Sequence, residues 1–195
     1  AQTFALYRLL DELRERHPMV EIESCSSGGA RIDHEILKRT ERVWTSDCND
    51  PLERQTIQLG ASLLIPPEVM GAHIGPTRSH TTGRSHALAF RALTALFGHL
   101  GIEWNLLELS ETELATLRSV VAVHRTHRAL LHGGDVVRFD PVDNGDGPSG
   151  RAHGVYATDR SEALIAAVQL RAGASLVAPP LRLPGLDPEA TYAIT

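Results

Sequence analysis

The sequence predicts an α/β region with a parallel sheet over residues 1–132, followed by an all-β region over residues 133–195. Three observations support this. Short runs of strand formers alternate with amphipathic or capped helical segments as far as His132, and alternating β and α elements build parallel sheets. Gly133-Gly134 closes the last long helical pattern. Beyond that pair the periodicity becomes that of strands separated by turn-forming residues.

Each element follows from local chemistry. Over Gln2 to Arg16, Leu6, Leu9, Leu10 and Leu13 recur at helical spacing, with Arg14, Glu15 and Arg16 on the exposed side. His17-Pro18 ends that helix, because the residue before proline avoids the helical region. Val20 to Cys25 reads as a strand, Ser26 to Ala30 as a turn of small residues, and Asp33 to Arg39 as a short helix. Arg42 to Asp47 reads as another strand, since Val43, Trp44 and Thr45 all suit a pleated surface. Asp50 can cap the next helix, Pro51 fits its first position and Glu53 stands in capping-box register; the pattern runs to about Leu59 and Gly60 ends it. Ser62 to Ile65 and Gly71 to Ile74 are buried-strand candidates. Gly83 to Phe97 predicts a longer helix, with Leu88, Ala92, Leu96 and Leu100 on one side. Ser110, with Glu113 three residues on, opens a further helix through Leu114, Leu117 and Val121 to His132. His124, Arg125, His127 and Arg128 crowd its last turns, where positive charge suits the helix dipole. Val136 to Phe139, Ala152 to Thr158 and Ala163 to Leu170 read as strands, and a Pro/Gly-rich stretch from Ala178 to Pro188 separates them from a last strand near Tyr192.

Composition narrows the classes. With 195 residues, 42% of them hydrophobic and 22% charged, the chain can bury a core. The formal net charge of −5 comes from interspersed acids and bases, and no basic stripe would track a phosphate backbone, so nucleic acid is not an expected partner. No apolar run approaches the roughly 18 residues a membrane span needs. Ala1-Gln2-Thr3-Phe4 has neither the charge nor the apolar run of a signal peptide. Two cysteines, Cys25 and Cys48, make no disulfide framework, and a reducing, cytoplasmic compartment is expected.

A complete (β/α)8 barrel takes about 250 residues. No more than about four strands fit into residues 1–132, half the barrel number. Two architectures satisfy this: an open doubly wound sheet, or part of a barrel in a longer protein. A first helix that starts at residue 2 with no strand ahead of it favours the second.

The residue types suggest where chemistry would sit. Asp47 stands at the C-terminal end of a predicted strand, just before a capped helix, which in α/β barrels is the catalytic face. A carboxyl group partly desolvated in such a place holds its proton as a general acid needs; the plainer alternative is a carboxylate that caps the helix together with Asp50. Cys25 to Gly29 should lie on the same face. Its glycines let backbone approach a ligand and its small polar residues leave room for hydroxyls, although a tight turn would explain the same string. The cysteines have no CxxC spacing, and His124, His127 and His132 have no HExxH spacing, so neither set reads as a metal site. His73 and His80 flank a strand end and can line a pocket. Ser26, Ser27 and Ser46 lack neighbouring His and Asp partners for nucleophilic serine chemistry.

Several strings in order then resemble one family. Glu23-Ser24-Cys25-Ser26-Ser27-Gly28-Gly29-Ala30-Arg31 and Trp44-Thr45-Ser46-Asp47-Cys48-Asn49-Asp50 are similar to two signatures of the α-galactosidases of glycoside hydrolase family 36. Glu53 to Gly60, Pro66-Pro67, Met70 to His73, His80 to Arg84, His132 to Asp135 and Pro180 to Leu186 continue the resemblance in the family's order across essentially the whole chain. The resemblance implies the C-terminal half of a (β/α)8 TIM barrel followed by an antiparallel β-sandwich. It implies a retaining hydrolase that releases terminal α-linked galactose from oligosaccharides such as melibiose or raffinose, without cofactor or metal, and that forms a homo-oligomer, a tetramer at full length. Asp47 would be the general acid/base at the end of the sixth barrel strand. Cys25 and Gly28 would contact galactose, and Ser27 and Trp44 join them as candidate substrate-binding residues. The family's nucleophile is an aspartate in a K-W-D-like string; the chain has none, so it is expected upstream of Ala1 and the 195 residues alone are expected to be inactive. Ala30 replaces a usual glycine, which matters only if that backbone needs a positive φ. The rival readings are a non-catalytic carbohydrate-binding or scaffold module, which would bind galactose without hydrolysing its glycosides, and a metal- or redox-active α/β protein.

Overall fold

The computed structural model describes residues 2–143, 148–175, 177 and 179–195; Ala1 and Ala178, which begin two of the segments read above, lie outside them. The chain forms two compact units, Ala1–Thr126 and His127–Thr195.

The first unit alternates helix and strand: α1 (Gln2–Arg16), β1 (Glu23–Ser24), α2 (His34–Leu37), β2 (Arg42–Trp44), α3 (Pro51–Ala61), β3 (Met70–Ile74), α4 (Leu88–Ala95), β4 (His99–Ile102) and the start of α5 (Glu111–Gly133). The strands pair in the order β1-β2-β3-β4, every pair parallel. Spatial order that follows chain order without a reversal is that of a barrel wall, whereas a doubly wound sheet reverses at a switch point. The register fixes the two faces. Val43 and Met70 pack with Tyr7 and Leu10 of α1 and Ile36 of α2, and Ala72 and Ile74 pack with Ala92 and Ala95 of α4 and Leu117 of α5. Side chains alternate along a strand, so Trp44, Gly71 and His73 belong to the opposite face.

Local chemistry sets the helix starts. Asp33 caps α2 by accepting from the Ile36 amide at 2.7 Å. The Ser110 hydroxyl and the Glu113 carboxylate exchange hydrogen bonds with each other's backbone amides at 3.3 and 2.9 Å ahead of α5, the reciprocal capping box.

Four expectations are corrected here. Ser62 to Ile65 is not a strand: it continues the winding of α3, with amide bonds from Ser62, Leu64 and Ile65 back to Gln58, Ala61 and Ala61. Gly60 lies inside that helix rather than ending it. The fourth strand is instead His99–Ile102, a segment whose Leu100 falls in register with a helical stripe. Gly98 allows the change: a Cβ there would stand 2.7 Å from the Met70 carbonyl oxygen, so only glycine lets the chain turn this closely along β3. The predicted helix from Gly83 begins only at Leu88, because Gly83 has φ +71° and belongs to a loop closed by an Arg78–Ser85 bridge.

The second unit contains β5 (Asp135–Arg138), β6 (Val142–Asp143), β7 (Pro148–Tyr156) and β8 (Ala163–Gln169). All pair antiparallel with the long β7 in one four-stranded sheet. No strand forms near Tyr192; its hydroxyl donates to the Arg160 carbonyl at 2.9 Å and accepts from the Asp187 amide at 3.1 Å, tying the proline-rich tail down by a side chain instead of a ladder. Among the described residues, no helix is long and apolar enough to cross a membrane.

Candidate active site

All four parallel strands point the same way, so the segments that follow them gather at one end: Cys25–Gly29 after β1, Thr45–Asp50 after β2, Gly75 onward after β3 and Glu103 after β4. Asp47 lies there, exposed, with its Oδ1 3.8 Å from the Cys25 Sγ. The two strings that the sequence singled out separately therefore meet through side chains twenty-two residues apart.

The glycines of the first turn have a structural task. Ser27 and Gly28 have φ of 49° and 69°, the left-handed region that glycine adopts without cost. A Cβ on Gly28 would lie 2.6 Å from the Ser46 Cα and 2.8 Å from the Asp47 amide nitrogen. The turn thus nests against the backbone that carries Asp47, and the close approach that glycine permits is to protein. Ala30 has no positive φ, so its replacement of glycine is not strained.

Trp44 is buried. It stacks on His73, with ring centroids 4.2 Å apart, and the Arg54 guanidinium carbon lies 4.0 Å from its ring centre. His73 Nδ1 stands 3.3 Å from a Glu103 carboxylate oxygen that also accepts from Asn49 at 3.2 Å, so the ends of β2, β3 and β4 are joined by side chains. Cys48 Sγ lies 3.1 Å from the Thr81 hydroxyl, and His80 is exposed. Both cysteines are free thiols, and the described residues hold no cluster of three or more His, Cys, Asp or Glu placed for a metal ion.

Asp50, three residues from Asp47, has the opposite surroundings. It is fully buried. Its Oδ1 accepts from the Leu52 and Glu53 amides at 2.8 and 3.3 Å, while Oδ2 accepts from the Arg84 Nε at 2.8 Å and from the Thr82 hydroxyl. His86 Nε2 lies 3.4 Å from Oδ1. Burial alone would push this carboxyl up; the Arg84 guanidinium, the Thr82 hydroxyl and the two helix amides outweigh it and hold the group far below its ordinary 3.8. The helix-capping role is filled by Asp50, which leaves the Asp47 carboxylate uncommitted to the helix.

Two arginines were not singled out from sequence. Arg54 and Arg91 are the fourth residues of α3 and α4, both buried, and each reaches back to the loop before its own helix while stacking on a tryptophan, Trp44 and Trp104 respectively. Arg54 donates to the Cys48 carbonyl at 2.7 Å, the Thr45 hydroxyl at 2.8 Å and the Ser46 carbonyl at 2.6 Å. Arg91 donates to the carbonyls of Gly75 and His86 and to the Thr77 hydroxyl. Burial lowers Arg54 to about 10, which keeps it cationic at neutral pH. The sequence signal was present in a weak form: an arginine one turn into each of two helices, where a solvated surface charge is the ordinary reading.

A run of parallel strands whose C-terminal ends present an exposed carboxylate against a nested glycine turn has the layout of the active-site face of a (β/α)8-barrel protein. The melibiase family model matches residues 1–134, and the chain belongs to that family. The glycosyl hydrolase family 36 C-terminal domain matches residues 151–195. An alpha-galactosidase of Escherichia coli is 49% identical over 194 residues, covering 100% of this chain and 27% of that protein. Alpha-galactosidase 2 of Hypocrea jecorina is 35% identical, covering 100% of this chain and 26% of that protein. Among solved structures, the family 36 alpha-galactosidase AgaA of Geobacillus stearothermophilus in complex with raffinose superposes with a TM-score of 0.85 at 36% identity, covering 93% of this chain and 25% of that one. The chain thus spans about a quarter of the length of the relatives it matches. Its fold is the C-terminal part of a (β/α)8 barrel followed by an antiparallel all-β domain.

Proposed function

We propose that this chain supplies the C-terminal half of the catalytic barrel (residues 1–132) and the C-terminal β-sandwich domain (residues 133–195) of a retaining α-galactosidase, with Asp47 as its general acid/base. The meeting of Asp47 with Cys25 on the nested CSSGG turn carries the reading; the relatives' names and the raffinose complex supply the substrate class. Retaining glycosidases hold two carboxyl groups about 5–5.5 Å apart across the scissile bond. Asp47 protonates the leaving oxygen while the second carboxylate, contributed by another part of the barrel, attacks the anomeric carbon. Asp47, now ionised, takes a proton from water as that water releases galactose from the enzyme. Cys25, Ser27 and Gly28 line the galactose side. Trp44 supports the site from beneath, stacked on His73 and under Arg54. We place the enzyme in the cytoplasm, in keeping with its free thiols, and as a homo-oligomer.

Asp47→Asn in the full-length enzyme tests the assignment. General acid/base catalysis contributes about 10²–10⁴-fold, so melibiose hydrolysis should fall by that range; with 2,4-dinitrophenyl α-galactoside, whose leaving group needs no proton, azide should restore turnover by intercepting the galactosyl-enzyme without a base. Unimpaired hydrolysis of melibiose would eliminate Asp47.

A further inference from the structure

We propose that Arg54 is the positioning residue for Asp47: its guanidinium fork holds the peptide plane that enters the aspartate and the Cys48 carbonyl one residue beyond it, and so sets the direction of the proton transfer. The inference rests on the acid/base reading of Asp47.

Arg54 is 2% exposed, one of the largest fully buried side chains of the described residues. All three of its nitrogens donate into the four-residue segment that carries Asp47. The bond to the Ser46 carbonyl holds the peptide plane that enters Asp47. The Cys48 amide donates to the Ser46 hydroxyl at 3.1 Å and holds the plane that leaves it, and the bond from Arg54 to the Cys48 carbonyl closes the bracket one residue further on. With both planes fixed, the Asp47 Cα–Cβ bond has one direction, although the carboxyl group itself is exposed and its described side-chain contact is the long one to Cys25. The exposed acid is therefore aimed from below, through its backbone. Trp44 holds the fork flat in turn, because the guanidinium stacks over the indole at 4.0 Å.

Lysine has the charge but not the planar fork, so Arg54→Lys keeps a buried cation and loses the bracket. A misplacement of about 1 Å from a change outside the reacting groups costs on the order of 100-fold. The loss should fall on the step that needs the acid. In the full-length enzyme, kcat/KM for melibiose, whose leaving group must be protonated, should fall about 30–100-fold in Arg54→Lys. For 2,4-dinitrophenyl α-galactoside, whose leaving group departs unprotonated, it should change less than about 3-fold. The ratio of the two constants is independent of how much enzyme folds, so partial unfolding cannot imitate the result. Thr45→Val, which removes one of the three acceptors, should move the ratio in the same direction by roughly 3-fold. Arg91→Lys disturbs the matching arginine of the next helix, away from Asp47, and should leave the ratio unchanged. Equal losses on both substrates in Arg54→Lys, or the same ratio shift in Arg91→Lys, would overturn the positioning role. Asp47→Asn serves as the reference: if it shows the leaving-group dependence and Arg54→Lys does not, this inference alone fails. If Asp47→Asn lacks the dependence, the acid/base reading fails with it.

Discussion

At the ends toward which β1–β4 point, polar side chains are buried; at the ends from which they start, apolar side chains are exposed. The first end holds Asp50, Arg54 and Arg91, all inside the protein and all bonded to the loops around them. The second end holds Met19, Val20, Leu63 and Leu64, all exposed. A sheet stabilised only by burial would show the reverse, since burying a charge is costly unless it is paired and hydrogen-bonded. The difference teaches that the mouth is built for fixed geometry. Loops that lack regular secondary structure are held there by charged side chains from the following helices, while the opposite end tolerates ordinary, unspecific turns.

The strongest way to break that contrast is Asp50→Ala. It removes the α3 cap and strands Arg84 and Thr82 of the neighbouring loop beside an empty site. A lost cap and the lost charge-assisted hydrogen bonds to a buried carboxylate together are worth about 3 kcal/mol. The effect depends on pH in a determined direction. The Asp50 carboxyl is depressed in the folded protein, so its stabilisation is complete above the ordinary value of 3.8 and is lost as pH falls from there toward the folded value. Thermal unfolding should therefore separate wild type from Asp50→Ala widely at neutral pH and progressively less below pH 3.8. A gap that widens in acid would show that Asp50 is not held ionised by these partners.

Gly28→Ala should be the next largest. The backbone there is left-handed at φ +69°, and the new methyl would meet the Ser46 Cα at 2.6 Å, both features of backbone that does not yield easily. The cost should be about 1–3 kcal/mol, and the turn should move away from Asp47. In the full-length enzyme melibiose hydrolysis should drop by more than the loss of folded protein accounts for. A variant as stable and as active as wild type would mean that the turn does not rest on the Asp47 backbone.

How much of this was legible in the sequence follows the same contrast. The strand-end position of Asp47, the capped start of α3 and the capping box of Ser110 are local signals carried by a few adjacent residues, and all three appear in the structure. The fourth strand is not legible, because four residues beginning at His99 offer too short a run for period 2 to beat the helical stripe of Leu88, Ala92 and Leu96, while Ser62 to Ile65 is apolar enough to imitate a strand. The bracketing of Asp47 by Arg54 was hidden for another reason. A side chain seven residues along that curls back past a helix start leaves no periodic trace, and arginine in a first turn usually means solvent. The role of Gly28 was half visible: the string announced a tight backbone, but whether ligand or protein fills the space beside it depends on where β2 lies.

The opposite end of the sheet gives the smallest and most informative prediction. Gly60 is the penultimate residue of α3, and a Cβ there would have no neighbour within 4 Å. It has neither a positive φ nor a close approach to justify glycine. Gly60→Ala should therefore stabilise the fold by about 0.5–1 kcal/mol through helix propensity and the reduced freedom of the unfolded chain. In the full-length enzyme melibiose turnover should be unchanged, because Gly60 lies near the end of α3 that points away from Arg54's bracket and a Cβ there meets no neighbour. Thermal unfolding and a melibiose assay on the same preparation check both halves. A loss of activity with the expected gain in stability would mean that α3 must flex for Arg54 to hold Asp47, and that the rigid mouth depends on a pliant helix behind it.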